Sequence, residues 1–213
     1  MVIDEAALRA AITDALLRSA GLPTLADVKK MLSEAESKTT VTIVTDDSKY
    51  GKHGVDVVRN LLTDYDFVEI KVLEKSSWPE DLPPPLIVIG GKLEGRLLFY
   101  GAPVDILSPM FMLAVAASCG AWKPKTCKDI SEARGRARLY VVPGLPCARA
   151  IYNSLPIVYC SNEAELEIVN VEAFYTLNKP LPVKQVPTFV SPSGKKHSST
   201  PRSEFEVLKW WHS

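Results

Sequence analysis

In this 213-residue chain no two of the four cysteines stand at C-x-x-C spacing, glutamine occurs once, and neither sign of charge exceeds the other. Each shortage removes a class of function. Cys119, Cys127, Cys147 and Cys160 follow one another at intervals of 8, 20 and 13, which match no zinc pattern of paired C-x₂₋₄-C, so no metal is expected. The three histidines are scattered: His53 lies at a helix start, His197 and His212 in polar or terminal stretches, and all three read as surface residues. Lysine plus arginine and aspartate plus glutamate each number 25, which gives neither nucleic acid nor an anionic membrane an electrostatic hold on the chain as a whole. Only "GKKHSSTPR", from Gly194 to Arg202, is locally basic, and it reads as a solvated loop. No apolar segment reaches spanning length and no signal-peptide core is present, so the expectation is a soluble, cytoplasmic protein. Sixteen prolines, a single glutamine and a heavy, balanced charge load form a bias found in heat-adapted proteins, and hyperthermophile cytosol is where intracellular disulfides persist.

What is present is a plan that occurs twice. "DEAALRAAITDALLRSAG" places Leu8, Ile12, Leu16 and the neighbouring Leu17 on one helical face before Gly21, a glycine cap. "TLADVKKMLSEAE" opens on Thr24 with Asp27 three residues on, an approximate capping box. "KTTVTIVTDD" alternates as a strand, and "SKYGKHGVDVVRNLLTDY" follows as a helix burying Val55, Val58, Leu61 and Leu62. "DFVEIKVLE" and "PPPLIVIGG" are further strands, "KLEGRLLFYGAP" a hairpin partner and "DILSPMFMLAVAASCG" a closing helix. After the connector "AWKPKTCKDISEARG", which has a short helical tendency, the series recurs: "ARLYVV" strand, "PCARAIYNSL" helix, "ELEIVNVEAF" strand, "VPTFVSPSG" strand, "SEFEVLKWW" helix. The repetition predicts an α/β fold of two tandem units, residues 1–121 with two leading helices and residues 122–213, each a mixed central sheet flanked by helices. One of Trp210 and Trp211 is expected to dock on the sheet.

Two further stretches imply no cofactor. "IGGKLEG" leads into a hairpin rather than a helix and cannot cradle a phosphate. In "DDSKYGKHG", Asp46 and Asp47 read as helix caps.

These segments resemble the archaeal protein disulfide oxidoreductases, tandem thioredoxin-like or glutaredoxin-like proteins, over nearly the whole chain. "VTIVTDDSKYGKHG" lies where that family has its first strand and C-x-x-C motif, "RLLFYGAPVDILSPMFMLAVAAS" is similar to its strand and closing helix, "VPTFV" resembles its cis-proline strand, and "EFEVLKWW" its last helix. The resemblance implies that the motif positions of the first half fall on Ser48, Lys49, Tyr50 and Gly51, and those of the second on Gly144, Leu145, Pro146 and Cys147. The first set has no thiol; the second keeps the resolving cysteine without the attacking one. Thiol-disulfide exchange needs a thiolate to attack and a second thiol to resolve the mixed disulfide. Cys160 lies 13 residues beyond Cys147, roughly 20 Å along an unbroken helix, although Pro156 is expected to interrupt it.

Cys147 is therefore either a small buried apolar residue behind a tight turn or a monothiol site. Cys160 reads as a core or capped position. Cys119 and Cys127 either close a small loop or stay free. The resemblance further implies a peptide edge beside the cis-proline: Val186 and Pro187 in the second half, Pro83 and Pro84 in the first, where Pro83 has no N–H to offer. The expected function is peptide or protein binding without turnover, with protein or peptide clients. The alternatives are a residual monothiol oxidoreductase acting through Cys147 and a structural pairing subunit.

Overall fold

The computed structural model describes residues 5–75, 82–130 and 132–213. Two helices lead, α1 (Glu5–Ser19) and α2 (Leu25–Leu32), followed by β1 (Thr39–Thr45), α3 (Lys49–Leu62), β2 (Val68–Glu74), β3 (Leu86–Ile89), β4 (Leu97–Tyr100) and α4 (Leu107–Ser118). A short α5 (Cys127–Ile130) precedes β5 (Arg134–Val141), α6 (Leu145–Cys160), β6 (Glu163–Asn170), α7 (Glu172–Thr176), β7 (Thr188–Val190), β8 (Lys196–His197) and α8 (Glu204–Trp211).

The eight strands form one mixed sheet in the order β2-β1-β3-β4-β6-β5-β7-β8. Within it the same pairing occurs twice. β1 runs parallel to β2 and antiparallel to β3, which pairs antiparallel with β4; β5 runs parallel to β6 and antiparallel to β7, which pairs antiparallel with β8. The two series meet where β4 and β6 pair in parallel, Leu97 opposite Leu166 and Phe99 opposite Ile168.

Local sequence explains most elements. In "TTVTIVT" the β-branched residues suit a pleated strand, and Thr39, Val41, Ile43 and Thr45 point to the buried side. The capping box of α2 is present: Thr24 Oγ1 accepts the Asp27 N–H at 3.2 Å while Asp27 Oδ2 accepts the Thr24 N–H at 2.9 Å. That hydrogen bonding from Thr24 holds the Asp27 carboxyl below its usual range. α4 is apolar all round, and Met110, Phe111, Met112, Leu113 and Val115 are buried, as a helix covered on every side requires; it packs between α2 and α6. Trp211 is the tryptophan that docks, its indole N–H donating to the Arg134 carbonyl at 2.9 Å beside Phe189, while Trp210 stacks on His197.

On β5 and β6 the alternations R-x-R-x-R and E-x-E-x-E come into register, Arg134 opposite Glu163, Arg136 opposite Glu165 and Arg138 opposite Glu167. The ladder runs inward: side-chain exposure of the three glutamates falls from 63% to 39% to 4%. Glu167 is covered because both Arg136 (3.6 Å) and Arg138 (2.6 Å) reach it.

A buried cation joins the two strand series. Arg96, at the entry to β4, is 8% exposed. Its guanidinium donates to the carbonyls of Val158 and Ser161 at the end of α6 and to Lys92 O at 3.3 Å, while its own carbonyl accepts the Leu166 N–H at 2.8 Å. Burial pulls its pKa down, but the negative end of the α6 dipole compensates the charge.

Four expectations are corrected. Leu8, Ile12 and Leu16 are 49%, 53% and 45% exposed, and on that helix Leu17 alone of the four is buried, because only the last turn of α1 reaches the core. Pro156 does not interrupt α6, which runs unbroken from Leu145 to Cys160; the residues on both sides of it, Leu155 and Ile157, are locked in the core. The disulfide joins Cys127 to Cys160, and Cys119 is a free buried thiol, because α5 folds back onto the end of α6. The segment after β6 turns into α7 instead of extending the strand.

Arg96→Met would leave the α6 carbonyls without their donor, and we expect a loss of about 3 kcal/mol in guanidinium unfolding. Removing the Cys127–Cys160 link, which spans 33 residues, should cost about 3 to 4 kcal/mol by loop entropy, visible as a lower melting temperature under dithiothreitol that a Cys127→Ser variant no longer shows.

Candidate functional site

Each half carries a strand that breaks into a turn and restarts as a helix, and cap positions align the two. Ser48 caps α3 and Gly144 caps α6, so Lys49, Tyr50 and Gly51 correspond to Leu145, Pro146 and Cys147. Both helices start where the sequence places them, yet the two sites are filled differently.

In the first half the cap is a closed hydrogen-bond knot. Ser48 Oγ accepts the Gly51 N–H at 3.0 Å and donates to Asp46 Oδ1, which also accepts the Ser48 N–H at 3.2 Å. Ser48 is thus the cap that the sequence assigned to Asp46 and Asp47; Asp46 orients it, and Asp47 pairs with Lys52 at 3.7 Å on the surface. A Cβ on Gly51 would lie 2.5 Å from both Asp46 Oδ1 and Thr45 Oγ1, so a cysteine at the position matching Cys147 would force both side chains to move and break the knot. Gly54 lets α3 approach Pro85, whose ring would be 2.4 Å from an added Cβ. The Tyr50 hydroxyl bonds to the Ala102 backbone, and burial raises its pKa, with Glu172 on α7 adding to the shift.

The proline of this half is displaced by one from the expected position. The cis bond lies between Pro84 and Pro85, so Pro85 corresponds to Pro187 and Pro84 to Val186; three successive prolines gave the sequence no means of choosing. It is Pro84, not Pro83, that brings no N–H to this edge, and Leu82 through Pro85 are all buried.

The second half is open. Gly144 and Leu145 are half-buried and Pro146 is exposed, and α6 has no side-chain cap on its first turn. Cys147 sits just behind, 2% exposed, its Sγ accepting the Val142 N–H at 3.4 Å. Burial pushes this thiol up, against a smaller lowering by that hydrogen bond. A protonated, covered thiol is a poor nucleophile. Cys160 is bonded to Cys127 and cannot serve as its partner.

Opposite the turn, the Val186–Pro187 bond is cis as expected. Val186 is half-buried at the margin of the apolar cluster that contains Tyr140, Val169 and Phe174, and neither its N–H nor its C=O has a hydrogen-bond partner among the described residues. Gln185 and Thr188 on either side are engaged: Thr188 Oγ1 donates to Gln185 O at 2.7 Å, and Gln185 Nε2 to Ser198 O at 2.7 Å. These two residues also line a groove of about 550 Å³ with Leu181, Pro182, Val183, Lys184, Lys196 and Ser198. Sequence reading did not identify the groove, because Lys196 and Ser198 reach it only through the β7–β8 hairpin.

Among the described residues no group of three or more His, Cys, Asp or Glu side chains could hold a metal ion, and no helix is long and apolar enough to cross a membrane.

No family model matches the chain, and no curated protein matches it. Solved structures do. The alkylhydroperoxide reductase protein AhpF of Enterococcus faecalis superposes with a TM-score of 0.73 at 16% identity, over 87% of this chain and 95% of that one; its separately solved NTD_N/C domain gives 0.71 at 14%, over 87% and 96%. A protein disulfide oxidoreductase from Aeropyrum pernix gives 0.58 at 12%, over 89% and 90%. What the chain shares with them is the fold, a thioredoxin-like mixed sheet flanked by helices.

If Cys147 is as shielded as its position indicates, iodoacetamide at neutral pH should modify it at least about tenfold more slowly than a free exposed thiol. Peptide mapping after alkylation, with and without denaturant, measures this; fast native labelling would contradict the assignment.

Proposed function

We propose that this protein binds extended segments of other proteins and does not turn over disulfides. In this reading the chain is a tandem duplication, 1–121 and 122–213, with the C-x-x-C motif of the resembled family lost from both halves and the peptide site retained in the second. The observation that carries it is the contrast at the two prolines. Pro84 is buried and has no N–H, whereas Val186 is half-buried with both backbone groups unpaired. An unpaired N–H and C=O in the chain leading into a strand are what an extended peptide pairs with, main-chain hydrogen bonds supplying affinity and neighbouring pockets specificity.

The chemistry of exchange supports the same conclusion. Reducing a disulfide takes two thiols, one to form the mixed disulfide and one to release it. Position 51 is a glycine whose Cβ would crowd Asp46 and Thr45, Cys147 stands alone, and the remaining free thiol, Cys119, is buried at the end of α4 with its pKa raised by burial. A heat-adapted cytosol is proposed with this function, since intracellular disulfides persist there and the Cys127–Cys160 bond would be kept.

Two measurements test the reading. Dithiothreitol-driven insulin reduction should run no faster with the protein than with its Cys147→Ser variant; multiple turnovers by the former alone would establish a monothiol enzyme instead. A fluorescein-labelled ten-residue extended peptide rich in Val and Thr should bind, and Val186→Pro, which deletes one backbone donor, should weaken it by about fivefold.

A further inference from the structure

From Ala173 to Ser203 the chain has no aspartate or glutamate, but it has Lys179, Lys184, Lys195, Lys196 and Arg202. In a protein with equal numbers of both charges, the rest is therefore net acidic and the positive excess is gathered in one stretch. The fold wraps that stretch around the candidate site. Lys184 and Lys196 both line the groove together with Gln185 and Thr188, the residues that flank Val186 and Pro187 in the chain. Both are exposed. Among the described residues Lys184, Lys195 and Lys196 take part in no ion pair. By contrast, the three arginines of β5 on the same sheet are matched one for one by glutamates of β6.

We infer that the groove selects acidic segments: an extended peptide whose Asp or Glu side chains reach Lys184 and Lys196 while its apolar residues lie on Leu181, Pro182 and Val183. This rests on the peptide-binding reading of the Val186 edge and adds the chemistry of the client. Two unpaired ammonium groups beside an open edge attract carboxylates at long range and repel basic chains, so the selection acts through both preference and exclusion. A polynucleotide fits the groove less well. Its lining contains no aromatic ring on which a base could stack, and the chain's zero net charge offers no track for a long phosphate backbone.

The test is fluorescence anisotropy on the full chain with three labelled ten-residue peptides of one Val/Thr pattern, carrying Glu, Gln or Lys at alternate positions, and with a labelled oligothymidylate. At low salt the Glu peptide should bind about five- to tenfold more tightly than the Gln peptide, as expected for two exposed charge pairs. The gap should close as ionic strength rises. Lys184→Glu/Lys196→Glu should bring the Glu peptide to or below the level of the Gln peptide, and an unchanged midpoint in guanidinium unfolding shows that the variant is folded. Equal binding of the Glu and Gln peptides, both weakened by Val186→Pro, would overturn the acidic preference and leave the peptide edge standing. Failure of all three peptides would overturn both. Binding of oligothymidylate as tight as that of the Glu peptide would replace peptide selection with general polyanion binding.

Discussion

The structure depends on how one helix ends. The last carbonyls of α6 point to the seam between the two strand series, and the Arg96 guanidinium is buried against them with no ion-paired carboxylate among the described residues, Glu94 and Glu165 acting only at a distance. Such a cation is tolerable where several carbonyls converge at the negative end of a helix dipole, and costly elsewhere. The Cys127–Cys160 bond and the Ser161 hydroxyl, which donates to the Ala133 carbonyl, tie down the same end. With its C-terminus held and its flank packed against α4 and α8, α6 presents a fixed N-terminus at Gly144, opposite the Val186–Pro187 edge. Position at one end of the helix follows from restraint at the other.

The two halves show how one backbone plan yields an open and a closed site. Both have a capped turn, a helix and a cis-proline strand. In the first, Ser48 and Asp46 complete the cap, Gly51 and Gly54 bring the backbone of α3 against its neighbours, and Tyr50 bonds to the Ala102 backbone. In the second, Gly144 has no side chain with which to close the cap, Pro146 is exposed, and the lysine-bearing segment 179–202 borders the opening instead of covering it. The difference lies in what fills the space above the turn.

Several features were legible because local chemistry decides them. Thr24 and Asp27 lie three apart and cap α2 by themselves; the Val/Thr alternation of β1 has one buried face in any sheet; the Pro-Gly turn before Cys147 gave the correct helix start. Others were not legible because a distant residue decides them. Leu8, Ile12 and Leu16 form an apolar stripe, but nothing on α1 reveals that only its last turn reaches the core. Cys127 and Cys160 pair because α5 folds back on α6, which spacing does not encode. Three consecutive prolines offer three possible cis bonds, and nothing within the run distinguishes one. The Arg/Glu alternations were a readable signal for cross-strand pairing, passed over because the register of β5 on β6 was not known.

By itself the sequence determined the α/β class, the repeated order of elements, the place of the two helix starts that follow β1 and β5, and the fact that no cysteine pair stands at either one. These follow from periodicity, capping and residue identity, all of which act within a few positions. Tertiary structure alone decided which thiols pair, which cis-proline edge is open, and that Lys184 and Lys196 share a groove. Those outcomes depend on which segments meet across the sheet, and the free energy that selects the meeting is spread over the buried core and the Arg96 seam, where no short stretch of sequence records it.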